Sequence, residues 1–326
     1  MKIVQAHALD SLDDYAMVDA PLPQAGVGEV RIRVAACGVG YVEALRALGK
    51  YQVKPPLPYT PGNEFSGVVD QVGAGVTDVK PGDHVMATSG GAFAEFVVVA
   101  RERVDAMPSG LSFDQAAGVR VNYETALLAF RNRARLAAGE TVLVFGAAGG
   151  TGVAAVQMAR AMGARVVAAA STPAKREFAL AQGASVAIDT EVEGWRDRLK
   201  EATDGKGPDV IFDPVCGPLF DPAFRSLAWN GRHLVVGFVG GPIPALKSNL
   251  TLLKGAALVG VDLRQFLLNE PEAAATNFAD IQRWLGDGTL NPPVGRVFAF
   301  EEYREALEFA FSGSGMAKTV VRIAQD

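Results

Sequence analysis

The chain has 326 residues, 49% hydrophobic and 21% charged, with a formal net charge of −5. That length exceeds the usual single domain and predicts two, each large enough to bury a full core. The acidic balance, with no basic run to offset it, argues against nucleic acid or an anionic membrane as the main partner. Two cysteines, Cys37 and Cys216, are too few for a disulfide framework or a four-cysteine zinc site. The opening MKIVQAHALDS has no long apolar core, and no segment reaches about 18 consecutive apolar residues. Neither a secretory leader nor a membrane span is expected, and the cytoplasm is the expected location.

Up to about residue 100 the pattern is one of short strands and turns. Residues 30–36 alternate, with Arg31 and Arg33 opposite Ile32 and Val34. Further strands are predicted at 65–72, 85–87 and 93–100, punctuated by Gly73-Ala74-Gly75, Pro81-Gly82-Asp83 and Gly91. One short helix is predicted at 41–48. Many short strands joined by Gly and Pro turns predict a compact, barrel-like β domain. Ser112-Phe113-Asp114-Gln115 fits a capping box that opens a helix, and a longer helix is predicted over 122–136.

From residue 141 the rhythm changes to alternating strand and helix. Residues 142–145 are a continuous apolar run, as expected of a strand buried on both faces. Gly146, Gly149 and Gly152 follow at a spacing of three, with Gly150 and Thr151 between them. A helix comes next, with Ala155, Met158, Ala159 and Met162 on one face and Gln157 and Arg160 on the other. Glycines here permit a tight strand-to-helix reversal and let backbone approach a ligand; the helix start then offers free N–H groups to a pyrophosphate. Strands predicted at 166–170, 185–188, 209–213, 233–238 and 257–261 make six in all. Helices are predicted from 173 and around 195–202. This is an α/β layout, the doubly wound dinucleotide fold with a six-stranded parallel sheet. The tail carries predicted helices at 274–285 and 300–311 and a strand at 319–323.

Dinucleotide folds that prefer NAD carry an acid about 20 residues past the glycines, at the end of the second strand. Here Ala170, Ser171 and Thr172 stand there instead. Thr172-Pro173 reads as an N-cap and a first-turn proline, with Lys175 and Arg176 in the same turn. A hydroxyl, a helix N-terminus and two cations suit a 2′-phosphate, so NADPH is the expected cofactor. The alternative is two solvated charges on a surface helix.

Several segments together resemble the zinc-independent quinone oxidoreductases of the medium-chain dehydrogenase/reductase superfamily. They are Ala36-Cys37-Gly38-Val39, Arg46 with Gly49-Lys50-Tyr51, Pro58-Tyr59-Thr60-Pro61-Gly62-Asn63-Glu64 and Gly91-Ala92-Phe93-Ala94-Glu95. The glycine loop, the run 209–213, and Gly231-Arg232 with Gly237-Phe238 complete the set. The resemblance runs nearly end to end. It implies a GroES-like catalytic domain made from both chain ends (1–122 and a return segment 266–326) around an inserted Rossmann domain at 123–265. Cofactor and substrate would meet in the cleft between them. It also implies a homodimer, joined through the last Rossmann strand at 257–261.

Zinc dehydrogenases of the superfamily hold the catalytic metal with a cysteine and a Gly-His-Glu motif. The matching positions here are Gly40 and Asn63, which supply neither thiolate nor imidazole, so no zinc is expected. Glu64 remains and reads as a hydrogen-bonding partner, and Cys37 as a small core residue. His7 and His233 fall in predicted strands and His84 beside a turn, none near another ligand.

The resemblance further places Thr125, Phe238, Val239, Gly240, Val261 and Leu263 around the nicotinamide. Relatives use a Tyr and an Arg on the 2′-phosphate where this chain has Thr190 and Gly313, which leaves room for some NADH use. Tyr51 matches a tyrosine of related enoyl-thioester reductases and is the candidate hydrogen-bond or proton donor; an aromatic anchoring its loop is the alternative. Gly40, Tyr41, Arg46, Asn63, Leu263 and Arg264 are expected to border the substrate pocket, with Glu43 beside Tyr41 and Arg46 on the same short helix; a solvated face is the alternative for its charges. The family's usual residue at Gly40 is Asn.

Without a metal to polarise a carbonyl, the acceptor must already be activated, so a quinone or an enone is expected as substrate. Two alternatives stay open. One is a 2-enoyl-thioester (CoA or carrier-protein) reductase; the other is a non-enzymatic NADPH-binding redox sensor.

Overall fold

The computed structural model describes residues 1–324. Strand β1 (Lys2–Ala6) pairs antiparallel with β2 (Tyr15–Asp19). Then come β3 (Glu29–Val39), helix α1 (Tyr41–Ala47), β4 (Glu64–Val72), β5 (His84–Thr88), β6 (Phe96–Ala100) and β7 (Val104–Ala106). In β3, Val30, Ile32 and Val34 are fully buried while the arginines between them are not, the alternation of a sheet with one face on a core. His7 lies just past β1 rather than in a strand, because pairing with β2 ends at Ala6.

The capping box at Ser112 is formed, yet its helix α2 (Phe113–Ala116) is short. After Ala117 and Gly118 a separate helix, α3 (Arg120–Leu127), continues as the π-helical Leu128–Ala134. The helix opened by the capping box thus stops at Ala116, and the longer one expected over 122–136 begins at Arg120 and finishes as a wider-wound extension.

Strand β8 (Thr141–Phe145) leads through the glycine turn into α4 (Gly150–Ala161), and β9 (Arg165–Ala169) into α5 (Pro173–Ala181). There follow β10 (Val186–Ile188), α6 (Trp195–Ala202), β11 (Val210–Asp213), α7 (Phe220–Ser226), β12 (Arg232–Val235), α8 (Asn249–Lys254) and β13 (Ala257–Gly260). All six strands are parallel, in the order β10-β9-β8-β11-β12-β13. Counted from β8 this is 3-2-1-4-5-6, the doubly wound arrangement whose order reverses between β8 and β11. Val142, Leu143 and Val144 are fully buried, as a central strand covered on both faces requires. One side chain of α4 departs from its amphipathic reading. Gln157 is buried, accepting from the Tyr123 hydroxyl (2.8 Å) and the Asn291 N–H (3.1 Å) and donating to Gln182 Oε1 (2.8 Å).

Helices α9 (Leu263–Asn269) and α10 (Pro271–Gly286) precede β14 (Val294–Ala299), α11 (Tyr303–Ser312) and β15 (Lys318–Arg322). The chain divides into two compact units. One runs Met1–Arg120 and resumes at Pro292; the other is Val121–Asn291. The return thus begins at 292, not 266. α10 is held within the second unit because Arg131 reaches Asp280 (2.8 Å) and Asn277 (3.0 Å), while Phe278, Ile281 and Leu285 are buried. In the first unit a seven-stranded sheet runs β14-β15-β3-β4-β5-β7, with β6 paired to β3. Its core includes Tyr15, Ile32, Phe65, Phe93 and Phe298. Among the described residues no helix is long and apolar enough to cross a membrane.

Candidate active site

The glycine turn is built by close backbone approach. Gly146 adopts φ 58°, in the left-handed region, and its carbonyl accepts the Gly149 N–H at 2.9 Å. A Cβ on Gly152 would lie 2.1 Å from Gly146 O, so only glycine lets the first turn of α4 sit against the turn. Gly149 is the N-cap and has no side chain to occupy the helix's leading N–H groups. Gly150 and Thr151 follow it, and the Thr151 hydroxyl donates to Asn122 Oδ1 at 3.0 Å. A helix start cleared of side chains at the point where strand order reverses is a fitting cradle for a pyrophosphate. Asn122 carries no motif that would have singled it out, since its contact with α4 exists only in the folded unit.

At the end of β9, Ser171 is exposed and Thr172 caps α5, accepting the Lys175 N–H at 3.2 Å, with Pro173 in the first turn. The Arg176 guanidinium donates to Ala170 O at 3.1 Å, which fixes that side chain over the strand end. A hydroxyl, a capped helix start and two cations therefore share one turn. Thr190 follows β10, Phe238 to Gly240 follow β12, and Val261 follows β13, all at the carboxyl ends of parallel strands. The Gly240 N–H donates to Val215 O (2.8 Å), and Val261 N–H to Val235 O (2.9 Å). Leu263 and Arg264 open α9, behind Asp262 as N-cap. Thr125 is buried on α3 with its hydroxyl donating to Val121 O at 2.6 Å.

In the first unit Glu43 is the centre of a buried polar cluster, not a solvated charge. Its Oε1 accepts from the Tyr59 hydroxyl and the Gly62 N–H, both at 2.9 Å, and Oε2 accepts from the Asn63 amide. The α1 face that carries Glu43 also carries buried Ala44 and Ala47, which draws the carboxylate inward where these donors satisfy it. Burial, and then the Glu43 charge, push the Tyr59 phenol far above its usual range. Arg46 donates to Asn63 Oδ1 at 2.8 Å, and its guanidinium lies 5.2 Å from the centre of the Tyr51 ring. Arg46, Asn63 and Tyr51 are thus brought together. Tyr41 instead stacks on Phe311 of α11 at 5.4 Å, with near-parallel rings.

The two positions matching metal ligands are committed otherwise. Gly40 has no side chain, and both ends of the Asn63 amide are engaged by Glu43 and Arg46. Glu64 is buried in an ion pair with Lys318, the first residue of β15. These residues do not fit a zinc site of thiolate, imidazole and carboxylate. Cys37 is fully buried with its thiol pushed well up, by burial first and then by the charges of Glu43 and Glu64. No motif marks Lys318, because its place beside Glu64 depends on a strand that returns 254 residues later.

A GroES-like β unit and a six-stranded Rossmann sheet with a bare glycine turn define a medium-chain dehydrogenase/reductase. The alcohol dehydrogenase GroES-like domain model matches residues 26–109, and the zinc-binding dehydrogenase model residues 150–280. The quinone oxidoreductase-like protein 2 of Mus musculus is 36% identical over 306 residues, covering 93% of this chain and 87% of its own. A crystal structure of quinone oxidoreductase from Thermus thermophilus, also solved in complex with NADPH, superposes with TM-score 0.85 at 34% identity, covering 99% and 100% of the two chains. A crystal structure of a probable oxidoreductase from Mycobacterium abscessus gives 0.88 at 36%, with 99% of both chains covered. The chain belongs to the quinone oxidoreductase family of that superfamily.

Proposed function

We propose that this chain is a metal-free, NADPH-dependent reductase that passes hydride to a quinone or an α,β-unsaturated carbonyl. One observation carries the reading: at the three positions matching the metal motif, glycine leaves a gap, Asn63 is tied to Glu43 and Arg46, and Glu64 is paired with Lys318. No neutral imidazole or thiolate is offered there. The acceptor must then be one that takes hydride without Lewis-acid help, which quinones and enones do.

NADPH as the cofactor is supported by the cleared start of α4 and by Lys175 and Arg176 beside the Thr172 cap. The NADPH complex of the Thermus relative points the same way. Gly146, Gly149, Gly150, Thr151 and Gly152 would hold the pyrophosphate, and Ser171, Thr172, Lys175 and Arg176 the 2′-phosphate. Bound nicotinamide supplies the hydride. Among the chain's own groups, Tyr51, held over Arg46, would donate a hydrogen bond to the acceptor oxygen as charge collects on it. The remaining expected cofactor contacts, Thr125, Thr190, Phe238, Val239, Gly240, Val261 and Leu263, belong to the same proposal.

A homodimer is proposed through β13. Among the described residues this edge strand pairs only with β12, and Leu258 on it is exposed, as are Leu252 and Leu253 shortly before it and Trp229 ahead of β12. A second copy adding its own edge strand would cover that row. Both cysteines are free and buried, which suits the proposed cytoplasmic setting.

Steady-state oxidation of NADPH with an ortho-quinone, a simple enone and crotonyl-CoA tests the activity. Turnover of the quinone or the enone is expected. Turnover confined to crotonyl-CoA would make the chain a thioester reductase, and tight NADPH binding without any turnover would sink both. Stoichiometric zinc by elemental analysis would overturn the metal-free reading.

A further inference from the structure

The pairing of β15 with β3 sets a cation beside the empty position 40. Thr319 is opposite Val39, which brings Lys318 alongside Gly40, and Gly38 is opposite Glu64 across β3 and β4. The Lys318 stem is buried against Gly38, where a Cβ would lie 2.9 Å from Lys318 Cε and 2.0 Å from Ala117 O. Its ammonium ends on Glu64, and the two side chains are 9% and 3% exposed. A Cβ built on Gly40 would meet Lys318 Nζ at 3.2 Å and, outside its chain neighbours, no other atom of the described residues within 4 Å. The ammonium is therefore walled on one side by its carboxylate and faces open space on the side that a residue-40 side chain would fill.

An ammonium has three donors, and Lys318 gives one of them to Glu64. A buried cation held by a carboxylate and open on one face is a preorganised site for an oxyanion, stronger than in water because little solvent screens it. We propose that Lys318 is a further catalytic group. Its ammonium, exposed at the bare backbone of Gly40, hydrogen-bonds the acceptor oxygen on which negative charge collects, standing in for a metal's charge. This rests on the reductase reading above. For an enone the hydride forms a C–H bond at the β-carbon and the C=C electron pair moves to give an enolate, with NADPH oxidised to NADP⁺. Lys318 stabilises the enolate oxygen, and a proton from solvent completes the saturated ketone at the α-carbon. For a quinone the same contact meets the hydroquinone monoanion. Gly40 is what opens the position, since any larger residue would crowd Nζ.

The test separates this proposal from the reading it rests on. The probe is 4-nitrophenol, whose phenolate mimics the reduced acceptor and absorbs differently from the neutral phenol; neither cofactor nor turnover is needed. At a pH where the free phenol is mostly neutral, the wild-type protein is expected to hold it as the phenolate. Lys318→Met is expected to weaken that binding at least ~10-fold, with Lys318→Arg restoring part of it. In the assay, Lys318→Met should lower kcat/KM for the acceptor ~100-fold while the Kd for NADPH is unchanged. Lys318→Met removes the cation from beside the buried Glu64 carboxylate, so Glu64→Gln/Lys318→Met repeats both measurements with a neutral pair. Phenolate binding equal in wild type and both variants, or none in wild type, overturns the proposal, as does an unchanged kcat/KM. A wild type that fails to oxidise NADPH with any acceptor defeats the reductase reading, whatever the phenolate does.

Discussion

His233 Nε2 lies 2.9 Å from Asp213 Oδ2, both side chains sealed from solvent, and the other oxygen of Asp213 accepts the N–H groups of Val215 (2.9 Å) and Cys216 (2.8 Å). The pair thus clamps β12 to the loop after β11. Val215 in that loop would lie 3.5 Å from a Cβ on Gly146, so the clamp supports the wall of the glycine turn. Burial, followed by the Asp213 charge, pushes the Cys216 thiol up to about 12. At neutral pH almost no thiolate forms, and Cys216 should stay unlabelled by a maleimide until the protein unfolds. Asp213→Ala removes the acceptor of three bonds and should lower stability by ~2–4 kcal/mol, read by urea unfolding. It should also bring maleimide labelling of Cys216 in under native conditions; equal labelling of wild type and variant would contradict the clamp.

Glu43 gathers three donors from Tyr59, Gly62 and Asn63. Replacing it with Ala strands these donors in a buried space at a cost of ~2–4 kcal/mol. It also frees Asn63 from one of its two anchors. Urea unfolding should show the loss, and KM for the acceptor should rise while KM for NADPH holds. A Glu43→Ala protein as stable as wild type would put Glu43 on a solvated face instead.

Gly152→Ala drives a Cβ to 2.1 Å from Gly146 O, a backbone atom that cannot swing aside. The first turn of α4 must shift, and with it the N–H groups proposed to hold the pyrophosphate. NADPH affinity, followed by quenching of tryptophan fluorescence, should fall at least ~10-fold, equivalent to about 1.4 kcal/mol. Unaltered affinity would place the cofactor elsewhere.

Lys175→Ala should raise KM for NADPH ~5–10-fold and leave that for NADH little changed, because one charge-assisted contact to a 2′-phosphate is lost. An equal effect on both cofactors would mean that Lys175 does not read that phosphate.

Leu258 stands exposed on the edge strand β13. Leu258→Lys places charges on the proposed two-fold contact, so light scattering should show wild-type dimers and variant monomers. A wild-type monomer at micromolar concentration would remove the dimer proposal.

Much of this was legible in the chain because it is local. The run Val142 to Phe145, the spaced glycines, the Thr172-Pro173 start and the capping box at Ser112 all carry their reasons within a few residues. Six parallel strands and the β-rich first unit follow from periodicity and turn residues in the same way. Helix length near residue 120 and the ownership of α10 did not, because a π-wound turn and a late boundary are set by packing partners such as Asp280 on Arg131.

The sequence by itself determined that positions 40 and 63 carry no thiolate or imidazole and that the ribose end of the turn has no acid, since residue type alone decides both. Only the tertiary structure decided what those positions hold instead. Glu43 turns inward because its neighbours on α1 are buried, and Lys318 meets Glu64 because β15 returns to pair with β3. The choice of charge partner over such a span is made by strand register, and register exists only once the sheet has formed.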